Sequence, residues 1–172
     1  MTRPASFARY AVYWVPEEGS ALAAFGVHWL GHDPASDAPA PIERTRLGLP
    51  EDFVERVTAE PRRYGLHATL KAPFWLAPRA TPQALVARTA QLARALAPVD
   101  TRPLRLTDLS GFLALCPMPA STAINALAVA CVEHLDDLRA PLTPQEHARR
   151  KPQFLSARQL ALLDRWGYPH VM

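Results

Sequence analysis

Eighteen prolines in 172 residues constrain this chain more than any other feature. Proline fixes φ, removes a backbone donor and ends helices and central strands. A chain punctuated so often has to build from short elements with sharply defined ends. Arg9 to Val15 (RYAVYWV) is aromatic, β-branched and apolar on both alternating faces, which predicts a buried central strand ended by Pro16. Ser20 to Leu30 predicts a helix with Leu22, Phe25, Trp29 and Leu30 at helical spacing and Gly31 as its stop. The polar, Pro-rich stretch 32–42 reads as a surface loop.

Pro50 to Ala59 predicts a short helix, with Glu51 and Asp52 in the first turn where acids suit the helix dipole. Leu66 to Leu76 follows as a strand. Thr81-Pro82 opens the next helix, whose apolar face is Leu85, Leu92 and Leu96. Leu104 to Asp108 and Phe112 to Cys116 flank Ser110-Gly111 and predict a hairpin or bulged bend. A helix over about Ser121 to Leu138 carries the stripe Ile124, Leu127, Ala128, Cys131, Leu135 and Leu138. Capping boxes at Thr143–Glu146 and Ser156–Gln159 start two further helices, the last ending near Gly167. Pro169 to Met172 reads as a turn into a new strand. This order lacks the Gly-rich turns and regular alternation of a βαβ chain, so the expected class is α+β with a mostly antiparallel sheet.

Composition limits the function classes. At 49% hydrophobic and 20% charged, the chain is ordinary globular material with enough length for one domain or two small lobes sharing a core. Charges or prolines interrupt every apolar run well before the ~20 residues of a membrane span. Met1 to Ala5 has no signal-peptide character, which makes a cytoplasmic location the expectation. Cys116 and Cys131 are too few for a disulfide framework, and two buried thiols are expected. The pI is near 9.2 but the formal net charge is only +3. The basic residues are mostly scattered arginines, which favours a small anionic substrate over nucleic acid.

The segment Tyr64 to Phe74 (YGLHATLKAPF) carries the chemistry. On a strand, His67, Thr69 and Lys71 share one face, and Leu66, Ala68, Leu70 and Ala72 share the other. Imidazole exchanges protons near neutral pH, the Thr hydroxyl donates to an oxyanion, and Lys adds positive charge. A polar row on the solvent face of a half-buried strand is the plain alternative. His28 and His32 are four apart, but Gly31 ends the helix between them, so no metal site is expected. His134 and His147 read as surface positions.

The His67-Ala68-Thr69 stretch resembles the His-x-Thr motif of the two-histidine phosphoesterase superfamily. Four segments extend the match: RRYGLHATLKAPF (Arg62 to Phe74), SGFLAL (Ser110 to Leu115), RAPLTPQEHARR (Arg139 to Arg150) and WGYPHVM (Trp166 to Met172). Together they resemble the branch associated with bacterial phosphonate-utilisation operons, from about Arg9 onward. The resemblance implies a bilobal α+β fold, mostly antiparallel sheets with flanking helices around a central cleft. Each sheet would supply one His-x-Thr. One histidine would act as general base, the other as general acid, and the hydroxyls would hold the non-bridging phosphate oxygens. No metal or other cofactor would be needed.

By this resemblance His67 is an acid–base residue and Thr69 a phosphate-oxygen donor. Arg139, Arg149 and Arg150 become candidates for gripping an anion, beside the plainer reading of Arg149 and Arg150 as cations at a helix C-terminus. Tyr10, Arg63, Tyr64 and Lys71 are the remaining candidates for substrate contact. The chain departs from the pattern in one respect: no other His in it is followed by Thr or Ser two positions later. The expectation is one domain of two lobes over residues 1–172, with the second motif on C-terminal strands beyond Met172; loss of the second site is the alternative. The expected function is metal-independent hydrolysis of a small ribose-type cyclic phosphate. The residues do not choose between a phosphorylated ribose 1,2-cyclic phosphate and a nucleoside 2′,3′-cyclic phosphate. The competing expectation is a non-catalytic module that binds a phosphorylated metabolite or an RNA end.

Overall fold

Short elements with capped ends are what the chain forms. The computed structural model describes residues 9–36, 38–39, 48–101, 103–109 and 111–170. In chain order these hold β1 (Tyr10–Trp14), α1 (Ala21–Leu30), β2 (His32–Asp33), β3 (Ala38–Pro39), α2 (Glu51–Thr58), β4 (Ala68–Phe74), α3 (Pro82–Ala95), β5 (Leu104–Asp108), β6 (Leu113–Pro117), α4 (Thr122–His134), α5 (Pro144–Arg149) and α6 (Ala157–Trp166). The class is mixed α and β, with small sheets of two strands each among the described residues. β1 pairs with β4, and the β2–β3 and β5–β6 pairs are antiparallel. The chain forms two compact units, Tyr13–Thr69 and Met1–Val12 with Leu70–Met172. No described helix is long and apolar enough to cross a membrane.

In the unit Tyr13–Thr69, the Ser20 side chain accepts from the Ala23 N–H and starts α1, which ends at Gly31. The buried face differs from the predicted one. Leu30 is buried as predicted, but Phe25 is exposed and the other buried position is Gly26. A Cβ at Gly26 would lie 2.6 Å from the Leu66 Cβ, so the helix docks through its smallest residue, where backbones can approach, and turns the bulky Phe25 outward. Part of the predicted loop 32–42 is a short ladder, His32 opposite Pro39 and Asp33 opposite Ala38. Its turn is held by the Asp33 carboxylate, which accepts from Ala35 N–H at 2.9 Å and Ser36 Oγ at 2.7 Å. Positions 37 and 40–42 of that loop lie outside the described residues. α2 buries Val54 and Thr58, and the Thr58 hydroxyl donates to the Val54 carbonyl at 2.7 Å.

The other unit has a core of Val12, Phe74, Leu85, Leu135 and Leu138, with Tyr10, Leu70, Leu76 and Ala80 packed against it. α3 starts at Thr81-Pro82 as predicted, with Leu85 buried. α4 is shorter than predicted and gives way to a 3₁₀ turn over Asp136–Leu138; the stripe buries Cys131, Leu135 and Leu138. Past β4 the chain continues to pair with the segment after this turn, Ala77 N–H donating to Leu138 and Ala140 N–H to Trp75. Both capping boxes form, at Thr143 and Ser156. β5 and β6 form the predicted hairpin with Leu106 opposite Leu115, although Ser110 is outside the described residues. Cys131 is buried, Cys116 half-buried, and both are free thiols. The predicted entry into a new strand at Val171-Met172 also falls outside the described residues. β1 is not the buried central strand expected: among the described residues it pairs with β4 alone, Val12 is its one buried residue, and Trp14 is exposed.

Candidate active site

His67 stands one residue before β4, at the end of a tight approach. A 3₁₀ turn over Pro61–Arg63 closes with Tyr64 and Gly65 N–H both donating to the Pro61 carbonyl. Gly65 then takes φ +67°, which L side chains adopt at a cost. A Cβ there would meet Pro34 Cδ at 2.8 Å and the His32 carbonyl at 3.1 Å. Gly65 is therefore required twice, by its backbone conformation and by its close approach to the β2–β3 turn. Gly65→Ala is expected to lose about 1–2 kcal/mol from the left-handed backbone before any clash is counted. A urea titration checks this: the midpoint should fall with the slope unchanged.

The Gly65 carbonyl lies 2.9 Å from His67 Nδ1. A carbonyl only accepts, so Nδ1 donates and the neutral imidazole leaves the lone pair on Nε2. Among the described residues this is the one hydrogen bond of His67. The Tyr13 ring lies 4.2 Å from the imidazole, centroid to centroid, at 36°; the Tyr64 ring lies 6.0 Å away at 59°. Tyr64 is 51% exposed. Arg63 is exposed and loosely paired with Glu60 at 3.9 Å, a contact worth little in solvent. Thr69 is exposed on β4. His67, Thr69, Tyr64 and Arg63 thus belong to one unit, with an imidazole held at Nδ1 by a backbone carbonyl and an exposed hydroxyl two residues on. Tyr13 was not among the sequence candidates.

Lys71 does not continue this exposed row. It is 3% exposed in the other unit, and its ammonium donates to the Val132 carbonyl at 2.9 Å and to Asp136 Oδ1 at 3.3 Å. Arg139 grips the same carboxylate through Nε at 2.7 Å and Nη2 at 3.0 Å, and also donates to the Arg165 carbonyl. Both cations were expected at a substrate; both are instead committed to Asp136, because a buried cation needs a counter-charge. Strand alternation fails beside them as well: Ala68, expected in the core, is exposed.

Burial pushes the Lys71 ammonium below the ordinary lysine range, with Asp136 opposing. Burial alone would raise the Asp136 carboxyl, but the hydrogen bonds and charge of Arg139, then those of Lys71, hold it below the ordinary aspartate value. Asp136 therefore binds fewer protons folded than unfolded near acid pH. Its stabilisation is complete above the ordinary aspartate value and lost as pH falls through its lowered folded value. The lowered Lys71 acts at the alkaline side, where stability rises with pH until the ordinary lysine value is reached. Thermal unfolding measured from neutral pH downward should show the acid loss. Asp136→Asn should start less stable and lose less on acidification.

Tyr10 packs against the core rather than at a site, sharing strand parity with buried Val12. Arg149 is exposed at the end of α5, and Arg150 is half-buried with its guanidinium 5.4 Å from the Tyr168 ring centre. His147 is not freely solvated, since its Nε2 lies 3.0 Å from the Asp164 carboxylate. No group of three or more His, Cys, Asp or Glu that could hold a metal occurs among the described residues. A cavity of about 210 Å³ lies against Leu66 in the unit Tyr13–Thr69. Its walls are mainly apolar, its charged lining residues are Glu18 and Asp33, and neither Lys nor Arg lines it, so it does not suit a phosphate.

A family model described as Protein of unknown function (DUF1045) matches residues 69–172. The chain is 42% identical over 167 residues to a protein of Janthinobacterium sp. (strain Marseille) named ribose 1,5-bisphosphate phosphokinase PhnN, across 96% of this chain and 36% of that protein. A protein of the same name from Laribacter hongkongensis (strain HLHK9) is 38% identical over 163 residues, across 95% of this chain and 37% of its own length. The chain thus spans little more than a third of the curated relatives it matches. No solved structure matches it.

Proposed function

This chain belongs to the DUF1045 family, and from that premise we propose that it hydrolyses a small cyclic phosphate on a ribose-type substrate, without a metal, through His67 and Thr69. The observation that carries this is the His67 imidazole, held at Nδ1 by a carbonyl so that its Nε2 lone pair is kept for proton transfer, with Thr69 exposed two residues on. A water oxygen bonds to phosphorus as one ring P–O ester breaks. One acid–base group takes the water proton and a second protonates the departing alkoxide. His67 is one of the two. The Thr69 hydroxyl donates to a non-bridging oxygen, where charge builds.

The bilobal two-histidine-phosphoesterase fold implied by the motifs belongs to the same proposal, as does a role in phosphonate breakdown. Arg63 and Tyr64, in the same unit as His67 and Thr69, are the proposed substrate contacts; Arg149 and Arg150 are kept as anion-gripping candidates of the other unit, while Tyr10, Lys71 and Arg139 serve the packing and charge balance described above. The name of the relatives supports a phosphorylated ribose as the substrate class. The phosphokinase activity in that name is said of those proteins, of which this chain spans little more than a third. Turnover of a nucleoside 2′,3′-cyclic phosphate and of a phosphorylated ribose 1,2-cyclic phosphate by the full-length gene product tests the proposal. Hydrolysis of either in EDTA supports it. Tight binding without turnover, lost on Arg149→Ala or Arg150→Ala, would replace it with a phosphate-binding module.

A further inference from the structure

We propose that Tyr13 is a positioning residue for His67, and that the Tyr13 ring and the Gly65 carbonyl together hold the neutral imidazole as its Nδ1–H tautomer with Nε2 free for the reacting atoms. The use of Nε2 rests on the proposed hydrolysis; the tautomer and the stack do not. No carboxylate orients this histidine, since among the described residues its one hydrogen bond is to a backbone carbonyl. One hydrogen bond fixes a point and not a plane. A ring held only at Nδ1 still swings about that contact and carries Nε2 through an arc. The Tyr13 ring, 4.2 Å away and tilted by 36°, covers one face of the imidazole and closes the arc. Tyr64, farther away, steeply inclined and half-exposed, does not cover the ring in this way.

The two supports come from well-anchored backbone. Tyr13 lies on β1, which hydrogen-bonds to β4, the strand that His67 leads into. The Gly65 carbonyl is carried by the turn that packs against Pro34 and His32. A group borne on a strand is held more tightly than one on a loop, and proton transfer depends on placement within a fraction of an ångström.

The test is a ¹⁵N-edited spectrum of the His67 ring in wild type, Tyr13→Leu and Tyr13→Phe, with kcat and KM measured on the full-length gene product. Wild type should show a protonated Nδ1, an unprotonated Nε2, and ring protons shifted upfield by Tyr13. In Tyr13→Leu the ring protons should move downfield, the two nitrogen signals should average, and kcat should fall about 10- to 100-fold with KM little changed. Tyr13→Phe, which keeps the ring, should restore both. An Nε2–H tautomer in wild type overturns the proposal. So does a folded Tyr13→Leu protein with unmoved ring signals and wild-type kcat. The expected spectra in a protein that turns over no cyclic phosphate uphold the positioning and overturn the hydrolase function instead.

Discussion

Asp136→Ala should destabilise the protein by about 3–5 kcal/mol, the cost of stranding a buried charge. Two cations depend on this carboxylate. Lys71 is 3% exposed and the Arg139 side chain 12%, and both lie within 3.3 Å of Asp136 oxygens. Removing the acid leaves both without their counter-charge, in surroundings where water cannot fully take its place. Lys71→Met is the informative control. It leaves the two-point Arg139 contact in place, fills much of the same volume, and should change stability by only about 1 kcal/mol, the cost of one unmade hydrogen bond to the Val132 carbonyl. Denaturant midpoints compare the two directly. Equal losses would mean that the cluster is held together by packing and not by charge.

His67→Ala should lower kcat by about 10²- to 10⁴-fold, the range for losing a positioned acid or base, while substrate affinity weakens far less. The imidazole makes no ion pair among the described residues and is only half-buried, so the truncation should leave the fold standing. Thr69→Val should act differently. It keeps the shape of an exposed strand residue and removes one oxyanion donor, worth about 10²- to 10³-fold in kcat. Steady-state kinetics on cyclic phosphates separate the two readings of this site. An unchanged kcat in His67→Ala would end the acid–base role. A loss confined to KM would recast His67 as a binding group.

Features written within a few residues were legible before any coordinates. Thr81, Thr143 and Ser156 accept from backbone N–H groups where the capping patterns put them, because a cap needs only three neighbours along the chain. The α4 stripe was legible for the same reason. Features that depend on distant partners were not. Strand alternation put Lys71 beside His67 and Thr69, but the residue that decides its place, Asp136, is 65 positions away. The place of Tyr10 in the core and of Tyr13 beside His67 is a question of strand parity. Tyr10 shares its side of β1 with buried Val12, and Tyr13 takes the other side; knowing which side was buried required the fold. α1 was misjudged in rotation because hydrophobicity favours Phe25, whereas the close approach of Leu66 selects Gly26.

The most direct measurement of the central claim is hydrolysis in H₂¹⁸O with excess EDTA, using the full-length gene product, a ribose-type cyclic phosphate and ³¹P detection. The mechanism predicts a phosphomonoester with one ¹⁸O on phosphorus, formed at a rate EDTA does not change and lost in His67→Ala. An EDTA-sensitive rate, a product without label, or turnover that survives His67→Ala would contradict it.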